Sequence, residues 1–260
     1  MEFPAHIRIQ EDGTRNIQSV AEHCRGAARC AAESLGGIGL SKAAYLTGLL
    51  HDLGKATPEF QAYIESAVNG EAVPRGAVVH TFAGVRLLLE QYHGPTPASY
   101  DDITCELLAF AIGSHHGSFD CVGETRSSGF QHRLLSHDSE YREAVQNFLS
   151  SCAGQDEIDS LFRASCQELT GVFEKIQDQL CTDAALARRE LPFYVGLTAR
   201  LLLSAVIQGD RRDTAEFMTG TARPVFPEDR RPLWEARLRY MEQKLARFPS
   251  ETDIQKARRQ

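Results

Sequence analysis

The sequence lacks most of the features that would place a chain quickly. No apolar run approaches the roughly 20 residues of a bilayer-spanning helix; Arg200 interrupts even the greasy stretch 193–207. The opening residues, MEFPAHIRIQEDG, have no apolar core of the kind a secretory signal needs, so the expectation is a soluble, cytoplasmic protein. There is no CxxC pair, and the seven cysteines are scattered and odd in number, which fits free thiols better than a disulfide framework. Basic residues are outnumbered, 28 Lys and Arg against 35 Asp and Glu for a net charge of -7. That balance argues against holding nucleic acid through a broad basic surface. It leaves room for an acidic site neutralised by metal. No internal repeat and no low-complexity tract is present.

What is there is ordinary globular material: 260 residues, 42% of them hydrophobic, enough for a sizeable core. Helical periodicity dominates nearly every readable segment. It predicts helices over 17–35, 41–51, 58–67, 80–92, 102–114, 139–150, 156–180, 191–208 and 232–248. Strand candidates are few, and the best, PRGAVVH before Thr81, reads as a loop leading into the helix of His80. The expected class is all-α, a single globular helical bundle. Residues 117–138 mix Gly, Ser, Asp and Arg without a period and read as a mobile rim, and 220–232 holds three prolines. The expected organisation is a core over 1–219 with a C-terminal helical extension over 220–260.

The sharpest local signal is HDLGK, from His51 to Lys55, at the end of the apolar run AAYLTGLL. A helical turn puts His51 and Lys55 on one face, with Asp52 projecting about 100° away. Imidazole nitrogen and carboxylate oxygen together suit a borderline transition metal. The pair alone reads equally as a helix cap or a mutually satisfied couple. His23 sits beside the apolar stripe of the first helix, His80 begins the fourth, and His115 with His116 closes the fifth. Each taken singly fits a structural histidine, a cap or a partner of a helix dipole. Five of them in one stretch are harder to explain separately. The acidic residue expected to complete the set is Asp210, where the long apolar helix RLLLSAVIQGD ends. Asp213 is the competitor, better placed for a salt bridge or turn.

With His23, HDLGK, His80-Thr81 followed by Ala83-Gly84, SHHG from Ser114 and SAVIQGDRRDT from Ser204, the chain resembles the HD phosphohydrolase superfamily. Within that superfamily it resembles the HD nuclease domain of the CRISPR-associated protein Cas3. The resemblance implies an HD-type bundle in which His23, His51, Asp52 and Asp210 hold one metal. Asp52 bridges to a second, held also by His80, His115 and His116. Asp52 and Lys55 are then the implied catalytic residues, Lys55 meeting a phosphate or positioning a water. The cofactors implied are two divalent transition ions (Mn, Fe, Co or Ni, with Mg less favoured). The substrate implied is single-stranded DNA exposed by a CRISPR surveillance complex, with a superfamily 2 helicase as partner in the same chain or another. No GxxxxGK[ST] run occurs, so the chain is not itself that motor. A monomer without membrane contact is expected. The competing readings are an HD phosphohydrolase of nucleotides or cyclic nucleotides, and a noncatalytic helical module with an idle metal site.

Overall fold

The structure is a computed structural model that describes residues 2–74, 78, 80–96, 99–117, 129–135, 138–180, 184–222, 231–249 and 251–257. It is 75% helical, with a single small sheet among the described residues. The chain divides into two compact units, Met1–Thr221 and Ala222–Gln260.

The first unit opens with an element that helical periodicity did not anticipate. Strands β1 (Pro4–Ile9) and β2 (Arg15–Ser19) form an antiparallel hairpin, with Ile7 opposite Ile17 and Arg8 opposite Asn16. The predicted first helix therefore starts three residues late: 17–19 finish a strand, and Ser19 caps α1 (Val20–Leu35). The cap is reciprocal. Ser19 accepts from Glu22 N while the Glu22 carboxylate accepts from Ser19 N at 2.8 Å, closing a capping box.

Helices α2 (Ser41–Leu50), α3 (Pro58–Val68), α4 (Phe82–Tyr92) and α5 (Tyr100–Ser114) follow. Next come α6 (Phe130–Leu135), α7 (Asp138–Ser151), α8 (Gln155–Leu180) and α9 (Ala184–Thr219). α1 packs on α2 and α9, α4 on α5, and α2 on α8. The core they enclose includes Leu46, Leu49, Leu50, Leu88, Leu108, Ile112, Phe148 and Phe173, all essentially inaccessible. α2 and α5, buried along most of their length, form the middle of the bundle.

Two expectations need correction. α9 does not run from 191 to 208; it continues through Pro192 and Gly209 to Thr219, so Asp210 lies inside the helix and not at its end. Gly209 does not break the helix because it packs against α1: a Cβ there would lie 2.4 Å from the carbonyl oxygen of Ala27. Arg200 lies within this helix, whose span Arg189–Thr219 is long and apolar enough to cross a membrane by length and composition only. Its inner residues Leu202, Ala205 and Val206 are buried, as in the central helix of a bundle. The second correction is α6, a helix inside the segment 117–138 that reads as an irregular rim; residues 118–128 and 136–137 of that segment lie outside the described residues. Most of PRGAVVH, and 223–230 of the proline-rich break, also lie outside them.

The second unit contains α10 (Arg231–Ala246) and α11 (Asp253–Ala257), neither of which buries a side chain.

Candidate metal centre

The site forms where α1, α2, α4, α5 and α9 converge, and local backbone chemistry sets each side chain. His51 is the C-cap of α2. The chain then tightens into a 3-10 turn, Leu53–Lys55, with Lys55 N donating to Asp52 O at 3.0 Å and Ala56 N to Leu53 O at 3.1 Å. That tightening replaces the continuous helical turn expected for HDLGK, and it brings Lys55 Nζ back to within 2.7 Å of Asp52 Oδ2. The glycine of the motif is a close approach: a Cβ on Gly54 would lie 2.2 Å from His80 O. Gly84 does the same for α4, where a Cβ would meet Leu50 O at 2.2 Å. These two contacts seat His80 and α4 against the end of α2.

The seven residues singled out for metal binding come together as two groups. In each group, one ligand atom from every residue lies within 4.8 Å of the others: His23, His51, Asp52 and Asp210 form one, and Asp52, His80, His115 and His116 the other. Asp52 belongs to both, and its oxygens divide the work. Oδ2 faces His23 Nε2 at 3.1 Å and His51 Nε2 at 3.2 Å. Oδ1 faces His80 Nε2 at 3.4 Å and His115 Nε2 at 3.5 Å. Asp210 Oδ1 reaches His23 Nε2 at 3.4 Å from α9.

The outer ring nitrogens decide which atom each histidine offers. His51 Nδ1 donates to Gly48 O and His115 Nδ1 to Ile112 O, both at 2.7 Å, while His80 Nδ1 donates to Val78 O at 3.2 Å. His23 Nδ1 donates instead to a carboxylate, Asp213 Oδ2, at 2.8 Å. With Nδ1 occupied, each Nε2 lone pair points inward, the arrangement by which outer hydrogen bonds orient metal-binding imidazoles. The buried atoms His51 Nε2, His115 Nε2 and Asp52 Oδ1 have no hydrogen-bond partner. Buried polar atoms in this state are costly, and three of them gathered around the Asp52 carboxylate, divided between the two groups, fit cations. The donor set, nitrogen and carboxylate oxygen without sulfur, matches a divalent transition ion.

The electrostatics agree. Burial pushes His23 and His51 down, but the surrounding carboxylates more than reverse it, raising His23 to about 9 and His51 to about 10. Asp52 is held well below the ordinary carboxylate range: burial works against this, and His51, Lys55, His115 and His23 outweigh it. Asp210 is also lowered, burial being outweighed by the neighbouring imidazoles of His23 and His51. On the other side, burial takes His80 down to about 3 and lowers His116. Lys55 is buried and paired with Asp52.

Three residues join the site from outside the expected set. His6, on β1, sets its ring against His23 with centroids 4.6 Å apart and shares a hydrogen bond with Thr214 Oγ1 at 3.2 Å. Burial, then the charge of Lys55, lowers it to about 3. Asp213 orients His23, and Gln18 Nε2 donates to the same Asp213 oxygen at 2.8 Å. The Asp-Gly turn that closes the hairpin could have flagged His6. Asp213 stands out in the sequence only as a rival to Asp210, and nothing there points to Gln18.

The family described as Cas3, HD domain matches residues 11–198. The chain belongs to this family. No curated protein matches the chain. Membership makes it an HD-type hydrolase of phosphodiester bonds, dependent on divalent metal, with a nucleic-acid substrate and a CRISPR context. The matched span of the Cas3 HD family takes in His23, HDLGK, His80 and the His115-His116 pair; Asp210, Asp213 and His6 lie beyond it and join the site through the fold.

Proposed function

We propose that this Cas3 HD domain cleaves single-stranded DNA during CRISPR interference, working in the cytoplasm as a monomer. It would hold two divalent transition ions, Mn, Fe, Co or Ni in preference to Mg, and receive its strand from a superfamily 2 helicase in the same chain or another. The observation that carries the reading is the division of Asp52 between two histidine clusters, each oxygen facing one of them.

Ions bound there would neutralise charge on the attacking and leaving oxygens and lower the pKa of a water. The protein's own part is to hold the pieces. His23, His51, Asp52 and Asp210 would take one ion, and Asp52, His80, His115 and His116 the other. His23, His51, Asp52 and His115 are buried, while His116, His80 and Asp210 are open to varying degrees. A phosphate must therefore approach along the edge formed by the latter three. Lys55 Nζ, beside Asp52, supplies a fixed positive charge at that approach.

Single-stranded substrate and delivery by a helicase rest on the family resemblance and on charge. A chain of net charge -7 has no broad field with which to hold a duplex. Arg212 on α9 is already paired with Glu33 and Glu216.

The test is to strip the protein of metal and restore Mn, Co, Ni, Fe or Mg one at a time. Circular single-stranded DNA, duplex DNA and a nucleotide panel are then supplied, with Asp52→Ala as control. Metal-dependent loss of the circular strand, absent in the variant, is expected. Turnover of nucleotides with inert DNA would instead identify a nucleotide phosphohydrolase.

A further inference from the structure

Among the histidines of the centre, His23 is distinguished by its outer partner. His51, His80 and His115 each donate from Nδ1 to a backbone carbonyl. Those acceptors are fixed by the backbone that owns them. His23 donates to Asp213, a side chain on α9 far along the chain. A movable acceptor on a different helix must itself be held, and two features hold it. Gln18, the residue before the α1 cap, donates to Asp213 Oδ2 at 2.8 Å, so both donors converge on one carboxylate oxygen. The other oxygen, Oδ1, lies directly over Gly26, where a Cβ would sit 1.8 Å from it. Gly26 and His23 stand one helical turn apart on α1, so the helix that carries the ligand also carries the notch that seats its orienting carboxylate.

We propose that Asp213, seated by Gln18 and Gly26, is the positioning residue for His23, fixing its ring so that Nε2 faces Asp52 and Asp210, and that it thereby governs the metal affinity of the His23, His51, Asp52, Asp210 cluster without governing the other. The proposal rests on the reading of the two clusters as metal sites and extends it to a residue outside both. Without the acceptor, the His23 ring is free to turn or to change tautomer, presenting N–H where a lone pair is needed. Loss of an outer hydrogen bond of this kind lowers metal affinity by about 10–100-fold. The other cluster shares Asp52 but takes no orientation from Asp213.

The experiment is a stepwise titration of the metal-stripped whole chain with Co²⁺, followed by its visible absorption and by competition with a chelator, and paired with thermal melts of the metal-free proteins. Asp213→Ala is expected to weaken one of two binding steps by about 10–100-fold and leave the other near wild type. Asp213→Asn keeps an oxygen where Oδ2 lies, and is expected to stay much closer to wild type than alanine. Gly26→Ala alters no charge but evicts the carboxylate, and should weaken the same step as Asp213→Ala. Unchanged binding in Asp213→Ala overturns the proposal. So does equal weakening of both steps, or an asparagine variant as weak as alanine. A wild-type protein that binds no Co²⁺ would fail the metal-site reading itself, a result distinct from all of these.

Discussion

Lys55 and the histidines around Asp52 carry charge states that the metal-free protein must arrange without an ion. Lys55 Nζ lies 2.7 Å from Asp52 Oδ2. Lys55→Met keeps the buried stem and removes the charge. It is expected to leave metal uptake intact while lowering turnover by about 10²–10³-fold, the cost of removing one fixed electrostatic donor from an active site; metal content and single-turnover cleavage measured side by side check it. The histidines set a pH signature. His23 and His51 are raised from 6.5 to about 9 and about 10, so their contribution to stability is complete below pH 6.5 and is lost as pH rises toward 9–10. His6 and His80 are lowered from 6.5 to about 3, so theirs is complete above pH 6.5 and is lost as pH falls toward 3. Asp52 and Asp210, lowered from 3.8, lose theirs only at still greater acidity. Melting temperatures in chelator should therefore peak near pH 6.5 and fall on both sides, and a profile flat from pH 5 to 9 would contradict these assignments. Metal uptake, which displaces protons from His23 and His51, should flatten the alkaline side. HDLGK, His80 and the His115-His116 pair were legible because each couples a chemical residue type to a helix boundary, and His23 because it flanks the apolar stripe of the first helix. The roles of His6, Gln18 and Asp213 were not, because they exist only through contacts such as His23 to Asp213, separated by 190 positions.

Elements were legible where a period repeated and illegible where a packing contact overrode a local rule. The alternation Ala5, Ile7, Ile9 and the Asp12-Gly13 turn, with Gly13 at φ 82, form the ordinary signal of a hairpin. It is easily passed over because the strands are short and one face is polar. α9 is the reverse case. Gly209 looks like a terminator in the sequence, yet it is the point where α9 closes on α1, and a Cβ added there would have Ala27 O, Ala27 C and Ala31 N all within 3.3 Å. Backbone atoms cannot give way as a flexible side chain would. Gly209→Ala should therefore cost about 1–3 kcal/mol through overpacking, visible as a melting shift of about 2–4 °C per kcal/mol. The same helix supplies its own control. Gly196 has open space around the corresponding position, so Gly196→Ala should leave packing untouched and add up to about 1 kcal/mol of helix propensity. Thermal melts of the two variants should move in opposite directions. If both stabilise, the close approach of α9 to α1 is wrong, and with it the placement of Asp210 and Asp213 beside His23.

At the scale of the whole molecule the acidic balance and the buried centre point to a division of labour. Net charge of -7 repels a polyanion, whereas a cluster of imidazoles around Asp52 turns attractive once cations fill it. Affinity for DNA should then come from the centre itself and from very few phosphates beyond it. Each backbone phosphate neutralised on a single strand contributes about -0.7 to the slope of log K against log salt. A protein gripping only the scissile phosphate and one or two neighbours should show a slope no steeper than about -2. Cleavage by the isolated chain would be limited by capture, with a high KM. Tethering a strand beside the centre converts capture into an intramolecular step at an effective concentration of about a millimolar. Fusion to a single-strand-binding module or supply by a translocating partner should therefore raise kcat/KM and leave kcat nearly unchanged. Kinetics of free and fused protein on the same oligonucleotide, repeated across a salt series, separate the two quantities. A steep slope and tight binding by the free chain would show that it captures DNA unaided, and would remove the reason to expect a delivering partner.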